Sequence, residues 1–310
     1  MKRFVSAGVL AMSMLCFNAP AYAVTPPPLP KANSTFMAGP IQVDVFGTPG
    51  KPALIFIPGL TCGPWEWSGE IAQFAPDYTV FALTLPGFNG VPAVQAPLFK
   101  TVSDNFWAML SARNIAKPVV IGHSLGGTLA IMLAEQHPDR LRGAIAVDGL
   151  PIFPGFERQS PAQRAQAAQR MSAQLASAST PQQFEFAEKT YALPYMMTSK
   201  DDIAAVAPLT AKSDPQAAAA WISEDLNLDL RPNLKNISTP LLEIAPYDPT
   251  LENSMFATAG AKSAYYATLI AGAQKGKVQV IEGSRHFAMY DQPQRLHEAI
   301  AEFLREQAPE

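Results

Sequence analysis

The chain has 310 residues, of which 16% are charged and 48% are hydrophobic, and its formal net charge at pH 7 is -3. This length suffices for one large α/β domain with an insertion, and so small a charge bias gives no reason to expect nucleic acid as a partner. The chain has only two Cys and four His, without the spaced clusters typical of zinc or iron–sulfur sites. The composition therefore argues against a nucleic-acid-binding protein and against a metal centre.

Residues 1–23 have the pattern of a secretory signal peptide. Lys2 and Arg3 precede an apolar run from Phe4 to Phe17, and the segment ends in Ala21-Tyr22-Ala23, with small residues one and three positions before the expected cleavage site. The apolar run is short for a bilayer core, which disfavours a permanent anchor. We therefore expect a periplasmic or secreted mature chain with no stable membrane anchor after signal removal.

The rest of the chain divides by its hydrophobic pattern. Residues 24–40 begin with a Pro-rich stretch and are expected to form an extended lead-in. Short apolar runs typical of strands then occur at 41–46, 53–57, 79–85, 119–121, 143–147, 239–245 and 278–281. Between residues 151 and 236, Ala and Gln become frequent and helical patterns alternate with Pro. This predicts a core in two parts, 41–150 and 237–310, separated by a helical insertion.

One stretch indicates catalysis. The β-branched run Val119–Ile121 leads into Gly122-His123-Ser124-Leu125-Gly126, and a helix-forming run follows at once. A serine at the apex of such a strand–turn–helix projects its hydroxyl outward, and glycines two positions to either side allow the close approach of neighbouring chain. The N–H of Leu125 would lie at the start of the helix, where unpaired donors favour an anion. We therefore predict Ser124 as a nucleophile and the N–H of Leu125 as an oxyanion donor.

With this turn, the chain resembles the α/β-hydrolase family from about Ile41 onward. The resemblance implies an α/β fold, with a mostly parallel central sheet, helices on both faces and an inserted helical cap over the active site. It also implies a second oxyanion donor in the loop after an early strand, and Leu60 in Pro58-Gly59-Leu60 occupies that place. It further implies a catalytic Ser, acid and His in that order along the chain.

The serine requires a base, and an acid to orient that base. His286, in the loop after the last predicted strand, is the expected base, because His123 neighbours the serine on a turn where adjacent side chains point apart. Asp248 and Asp148 each follow a predicted strand whose end faces the same sheet edge. We favour Asp248, which follows the next-to-last strand, and keep Asp148 as the alternative.

Large side chains near these segments are candidates for substrate contacts or for packing. The candidates are Trp65, Trp67, Met196 and Met197. Aromatic and Met side chains serve both roles, so the sequence leaves that choice open.

Together these features predict a secreted serine hydrolase that cleaves a small or medium carboxylic ester without a metal or an organic cofactor. Lactones, thioesters and amides share the tetrahedral intermediate, so a hydrolase of one of these remains an alternative. A catalytically silent ligand-binding homologue is the alternative of a different class.

Overall fold

An eight-stranded sheet forms the centre of the protein in the computed structural model, which describes residues 27–252 and 254–307. The predicted signal peptide lies outside these residues. The strands are β1 (Ser34–Ala38), β2 (Ile41–Gly47), β3 (Ala53–Ile57), β4 (Thr79–Thr84), β5 (Val119–His123), β6 (Gly143–Val147), β7 (Leu241–Tyr247) and β8 (Gly276–Glu282). Their order across the sheet is β1-β2-β4-β3-β5-β6-β7-β8, in which the β1–β2 and β2–β4 pairs are antiparallel and the other five pairs are parallel.

Helices cover both faces of this sheet and also form the segment between β6 and β7. They are α1 (Ser68–Phe74), α2 (Leu98–Ala112), α3 (Leu125–Gln136), α4 (Pro161–Ala176), α5 (Pro181–Ala187), α6 (Leu193–Met196), α7 (Lys200–Thr210), α8 (Pro215–Asn227), α9 (Pro249–Glu252), α10 (Ala259–Ile270), α11 (Ala288–Asp291) and α12 (Pro293–Glu306). The central strands β4, β5, β6 and β7 are buried along their whole length, as their continuous apolar runs predict for parallel strands covered on both sides. The predicted α/β fold with its mostly parallel sheet is confirmed.

The N-terminal edge of the sheet differs from the prediction. The alternation of residues 41–46 is typical of an edge strand, but β2 is paired on both sides, with β1 outside it and β4 inside it. β1 lies within the expected lead-in, 24–40, and its side chains are mostly exposed. An outer strand of this kind buries one face at most, so its sequence lacks the apolar run that identifies the inner strands.

The segment between β6 and β7 is helical and contains α4 to α8. Helix α4 begins at a capping box, in which the Ser160 side chain accepts from the Gln163 N–H and the Gln163 side chain accepts from the Ser160 N–H. A single bridge between Ile152 and Asp229 joins the two ends of this helical cap. Within the described residues, no helix combines the length and the apolar character that crossing a membrane requires.

Candidate active site

Ser124 lies at the turn between β5 and α3, in a backbone conformation that side-chain-bearing residues rarely adopt. Its φ is 52° and its ψ is -120°. The turn packs so tightly that a Cβ on Gly122 would come within 1.9 Å of the Gly126 carbonyl oxygen, and a Cβ on Gly126 within 2.4 Å of the Ile57 carbonyl oxygen. The two glycines flanking Ser124 are thus required by close contact, and the strained serine faces a cavity at the sheet edge.

His286 lines the same cavity, in the loop that follows β8, and an aspartate holds its ring. The distance from His286 Nδ1 to Asp148 Oδ2 is 2.5 Å. Asp148 follows β6, so β5, β6 and β8 deliver the serine, the acid and the histidine to one edge of the sheet. With Nδ1 engaged by the carboxylate, Nε2 is the nitrogen available to a hydroxyl.

The surroundings of Asp148 keep this carboxyl ionised. Burial alone raises its pKa, but the charge and hydrogen bond of His286, the ammonium of Lys262 and the hydroxyl of Tyr266 together bring the pKa well below its ordinary value. Tyr266 donates to Oδ1 while His286 occupies Oδ2. An anionic acid in this position fixes the tautomer of the imidazole and stabilises it once it becomes charged.

The prediction that Asp248 partners His286 is wrong. Asp248 Oδ2 instead accepts a hydrogen bond of 2.8 Å from Arg285 Nε, and its Oδ1 accepts from the backbone and hydroxyl of Thr250. Arg285 in turn donates through Nη1 to the carbonyl oxygens of Pro194 and Met197 in the cap. Asp248 is therefore bound to the residue before the histidine, and the alternative acid, Asp148, occupies the place beside the ring.

The two predicted oxyanion donors lie beside Ser124. Leu60 and Leu125 both line the cavity with the serine. The N–H of Leu125 belongs to the first turn of α3, where helix geometry leaves it without an intrahelical acceptor. Over residues 27–252 and 254–307, no acceptor is found for the N–H of Leu60. Both groups are thus available to an oxygen held above the serine.

A buried pair behind the serine was missed by the sequence analysis. His123 Nδ1 lies 2.7 Å from Glu66 Oε1, His123 Nε2 lies 3.0 Å from the His286 carbonyl oxygen, and Glu66 Oε2 accepts from the Gly59 N–H at 3.0 Å. Burial lowers the pKa of His123, but the charge and hydrogen bond of Glu66 outweigh it and the net pKa is raised. Both ring nitrogens face oxygen acceptors, so the doubly protonated imidazolium satisfies both. The pair joins three segments: the loop after β3, which we call the oxyanion loop, the turn between β5 and α3, which we call the elbow, and the loop that carries the histidine base.

Replacing Glu66 by Ala should destabilise the protein by about 3–5 kcal/mol, because it leaves a buried imidazolium and the Gly59 N–H without their acceptor. Urea unfolding at pH 7 measures this change. Glu302→Ala, which removes an exposed carboxylate on α12, is the matched control and should change the free energy of unfolding by less than about 0.5 kcal/mol. Equal unfolding free energies for the two variants would contradict the role assigned to Glu66.

The cavity above Ser124 has a volume of about 680 Å³ and is bounded by the sheet edge below and the cap above. Of the four predicted substrate-lining residues, Met196 lines it. The prediction is wrong for Trp65, Trp67 and Met197, which do not. Trp67 and Met197 are fully buried in the core, and Trp65 packs against that core. The Trp67 indole donates to the Ile57 carbonyl, so it stabilises the oxyanion loop from behind.

Two further carboxyl groups line the cavity without a cationic partner among the residues that the structure describes. Burial raises the pKa of Glu188 to about 7. Burial also raises the pKa of Asp225 to about 7, against the opposing effect of the Thr128 hydroxyl. The only ammonium group on the described wall belongs to Lys262, whose Nζ lies 2.6 Å from Glu252 Oε1. The cavity wall thus carries more acidic than basic groups.

Glu188→Gln should stabilise the protein at alkaline pH. A carboxyl whose pKa is raised in the folded state costs stability as pH rises through its unfolded and then its folded pKa, here from about 4.5 to about 7. The variant should therefore match the parent near pH 4 and exceed it by about 3 kcal/mol at pH 8. Urea unfolding at both pH values measures the difference, with the exposed cap residue Asp201, changed to Asn, as the control. A difference that does not grow with pH would contradict the assignment.

Within the described part of the chain, no three His, Cys, Asp or Glu side chains are grouped so that they could hold a metal ion. Cys62, the one cysteine in that part, is buried beside the cavity, and burial together with the charge of Glu66 raises the pKa of its thiol. A raised thiol pKa disfavours the reactive thiolate. The nucleophile that the cavity offers is therefore the serine.

The chain is similar to several known enzymes. It is 30% identical over 191 residues to 2-succinyl-6-hydroxy-2,4-cyclohexadiene-1-carboxylate synthase of Escherichia coli O9:H4 (strain HS), a match that covers 61% of this chain and 73% of that enzyme. Among solved structures, a hydrolase from Pseudomonas aeruginosa PA01 superposes with a TM-score of 0.72 at 16% identity, covering 88% of this chain and 99% of the other. The enol-lactonase from Burkholderia xenovorans LB400 gives 0.66 at 18% identity, covering 88% and 98%.

These structural matches, at such low identity, concern the fold alone. The sequence match to the Alpha/beta hydrolase family is more direct, since it extends over residues 54–299 and includes β3, the elbow, the cap and the loop of His286. Because it spans well over half of the chain, this protein belongs to the alpha/beta hydrolase family.

Proposed function

We propose that the protein is a serine hydrolase that cleaves a small or medium carboxylic ester through an acyl-enzyme intermediate. The observation that carries this proposal is the 2.5 Å contact between His286 Nδ1 and Asp148 Oδ2, in the same cavity as the strained Ser124. A histidine held by a carboxylate beside a projecting serine is the arrangement that activates an alcohol.

The reaction would proceed in two halves. The Ser124 hydroxyl attacks the acyl carbon while His286 Nε2 takes its proton, and the N–H groups of Leu60 and Leu125 bind the oxyanion. The imidazolium, stabilised by Asp148, returns the proton to the leaving alcohol. Water, deprotonated by the same histidine, then releases the acid and restores the serine. No step of this sequence requires a metal or an organic cofactor.

Esters, lactones, thioesters and amides pass through the same tetrahedral intermediate, so the catalytic residues alone do not distinguish among these substrates. Support for an ester comes from the mostly apolar wall of the cavity and from the similarity to an esterase from Thermogutta terrifontis, at a TM-score of 0.69 and 19% identity over 87% of this chain. A lactone is the second candidate, because one structural neighbour is an enol-lactonase.

The proposal is tested with p-nitrophenyl esters of graded acyl length and with a fluorophosphonate probe, which labels only an activated serine. We expect ester hydrolysis with an optimum at short or medium chains, and one label per chain at Ser124. Labelling without ester hydrolysis would transfer the proposal to lactones, thioesters or amides. A folded protein that neither hydrolyses esters nor takes the label would be a ligand-binding homologue, and the proposed function would be wrong.

We also propose that the mature protein acts in the periplasm or outside the cell. The support is the basic start and apolar run of residues 1–23, followed by Ala21-Tyr22-Ala23. Expression of the full chain in a Gram-negative host, with the mass of the purified protein measured, tests this. A mature chain that begins at Val24 in the periplasmic fraction is expected, whereas an uncleaved chain in the cytoplasm would contradict it.

A further inference from the structure

The balance of acidic and basic groups on the cavity wall favours some classes of substrate over others. Four described carboxyl groups line the cavity, from Asp148, Glu188, Asp225 and Glu252, against one ammonium group, that of Lys262. Lys262 is 4% exposed and already lies 2.6 Å from Glu252 Oε1. No arginine lines the cavity in the described part of the chain. An anionic substrate would thus meet a mostly acidic wall, on which the Lys262 ammonium and the His123 ring are already paired with carboxylates.

Glu188 is the most unusual of these groups. The residue is only 9% exposed and lines the cavity, and over residues 27–252 and 254–307 no side chain or backbone group pairs with its carboxylate. It begins a π-helical turn, Glu188–Ala192, of which it is the only buried residue. Wide turns of this type are frequent at functional sites. The turn directs a carboxyl inward at a position where an apolar residue would cost less.

The other side chains of the cavity wall suit a cation. Glu188 shares this wall with Leu60 and Cys62 of the oxyanion loop. Aromatic rings also line this wall, and the faces of such rings attract a positively charged group. They belong to Phe153, Tyr195 and Tyr265. A carboxylate together with aromatic faces, inside an otherwise apolar cavity, recognises an ammonium group better than a neutral or anionic one.

We propose that the substrate carries an ammonium group, which pairs with the Glu188 carboxylate beneath the cap while its acyl carbon lies at Ser124. This inference rests on the proposed hydrolase function and adds the class of substrate. The arriving cation supplies the partner that the buried carboxylate lacks, so binding offsets a desolvation cost that the free protein already carries.

Three p-nitrophenyl esters of nearly equal shape test the inference. The cationic ester carries a 4-(trimethylammonio)butanoyl group, and the neutral ester carries its isostere, 5,5-dimethylhexanoyl. The anionic ester is the monoester of glutaric acid, whose acyl group is 4-carboxybutanoyl. At pH 8, where Glu188 is ionised, each kcat/KM is divided by the rate of the same ester in buffer, to remove intrinsic reactivity. We expect the cationic ester to exceed the neutral one by about tenfold or more, with the anionic ester last.

Glu188→Gln identifies the group responsible. It should lower the ratio of kcat/KM for the cationic ester to kcat/KM for the neutral one to near unity, whereas Asp201→Asn, an exposed cap variant, should leave that ratio unchanged. A neutral or anionic ester that reacts as well as the cationic one, or a preference that survives Glu188→Gln, would overturn the inference.

A binding measurement separates this inference from the proposed function. Ser124→Ala protein is titrated by calorimetry with choline and with its neutral isostere 3,3-dimethylbutan-1-ol, and we expect tighter binding of choline that Glu188→Gln removes. Hydrolysis of the neutral ester without preferential choline binding would overturn the ammonium site and leave the hydrolase standing. Choline binding without hydrolysis of any ester would retain the site and overturn the hydrolase.

Discussion

Replacing Ser124 by Ala is expected to lower kcat, on any ester that the protein hydrolyses, by roughly four to six orders of magnitude. The methyl group cannot form the acyl-enzyme, and His286 then has no nucleophile to activate within the cavity. The oxyanion donors and the cavity remain, so a residual acceleration over water should persist. Because Ala removes only a hydroxyl, KM should change little. Steady-state kinetics with a chromogenic ester, together with loss of fluorophosphonate labelling, measures the effect.

The control for this substitution is Ser179→Ala, which removes an exposed hydroxyl from the cap. Its kcat should equal that of the parent protein. If Ser124→Ala retained most of the activity in a folded protein, the nucleophile would lie elsewhere and the proposed mechanism would fall. Melting temperatures of both variants show whether a loss of activity reflects chemistry or unfolding.

The second large effect distinguishes the two acids. Asp148→Asn should lower kcat by about 10⁴-fold, because the amide no longer stabilises an imidazolium and favours the wrong tautomer of His286. Asp248→Asn removes the acceptor of Arg285 instead, and should leave kcat within about tenfold while it lowers the melting temperature. Each variant changes one carboxylate to an amide of the same shape, so the pair is matched. Parallel measurement of kcat and of thermal unfolding provides the comparison.

The reverse order of effects, with Asp248→Asn inactive and Asp148→Asn active, would show that the loop of His286 rearranges when a substrate binds. Similar small losses for both variants would mean that neither carboxylate orients the base. Only a large loss confined to Asp148→Asn agrees with the geometry described above.

The sequence was sufficient to predict the elbow and the inner strands, because both depend on local signals. A β-branched run, two glycines and a helix-forming run lie within eighteen residues, and each has a local physical cause. The choice of the catalytic acid, in contrast, does not follow from a local signal. Asp148 and Asp248 both follow strands that end at the same sheet edge, and the chain order of Ser, Asp and His holds for either.

The decision between them depends on contacts that join distant parts of the chain. Arg285, the neighbour of the base, draws Asp248 away from the ring, and Tyr266 on α10 helps to hold Asp148 beside it. The presence of an arginine directly before His286 was the one signal in the sequence that could have indicated a competing partner for a carboxylate. The Glu66–His123 pair likewise joins residues 57 positions apart, which no local pattern reveals.

The predicted substrate contacts were largely wrong for a related reason. Residue type does not distinguish a large apolar side chain that faces the cavity from one that faces the core. Trp67 and Met197 lie in the core, whereas Met196 lines the cavity, although Met196 and Met197 are adjacent. A short helix such as α6 turns successive side chains in different directions, so a substrate-lining role there depends on the packing of the cap.

The contacts on either side of His286 have a consequence for how a substrate reaches the serine. Arg285 donates to the carbonyls of Pro194 and Met197, and the N–H of Phe287 donates to that of Met196, so α6 is tied to the residues before and after the base. A movement of this part of the cap away from the cavity would therefore also displace His286. Substrate and product should therefore enter and leave through an opening whose shape does not change. Apolar side chains of the cavity wall that reach the protein surface lie at the rim of this opening. These side chains, from Met171, Tyr195 and Met255, are exposed to solvent.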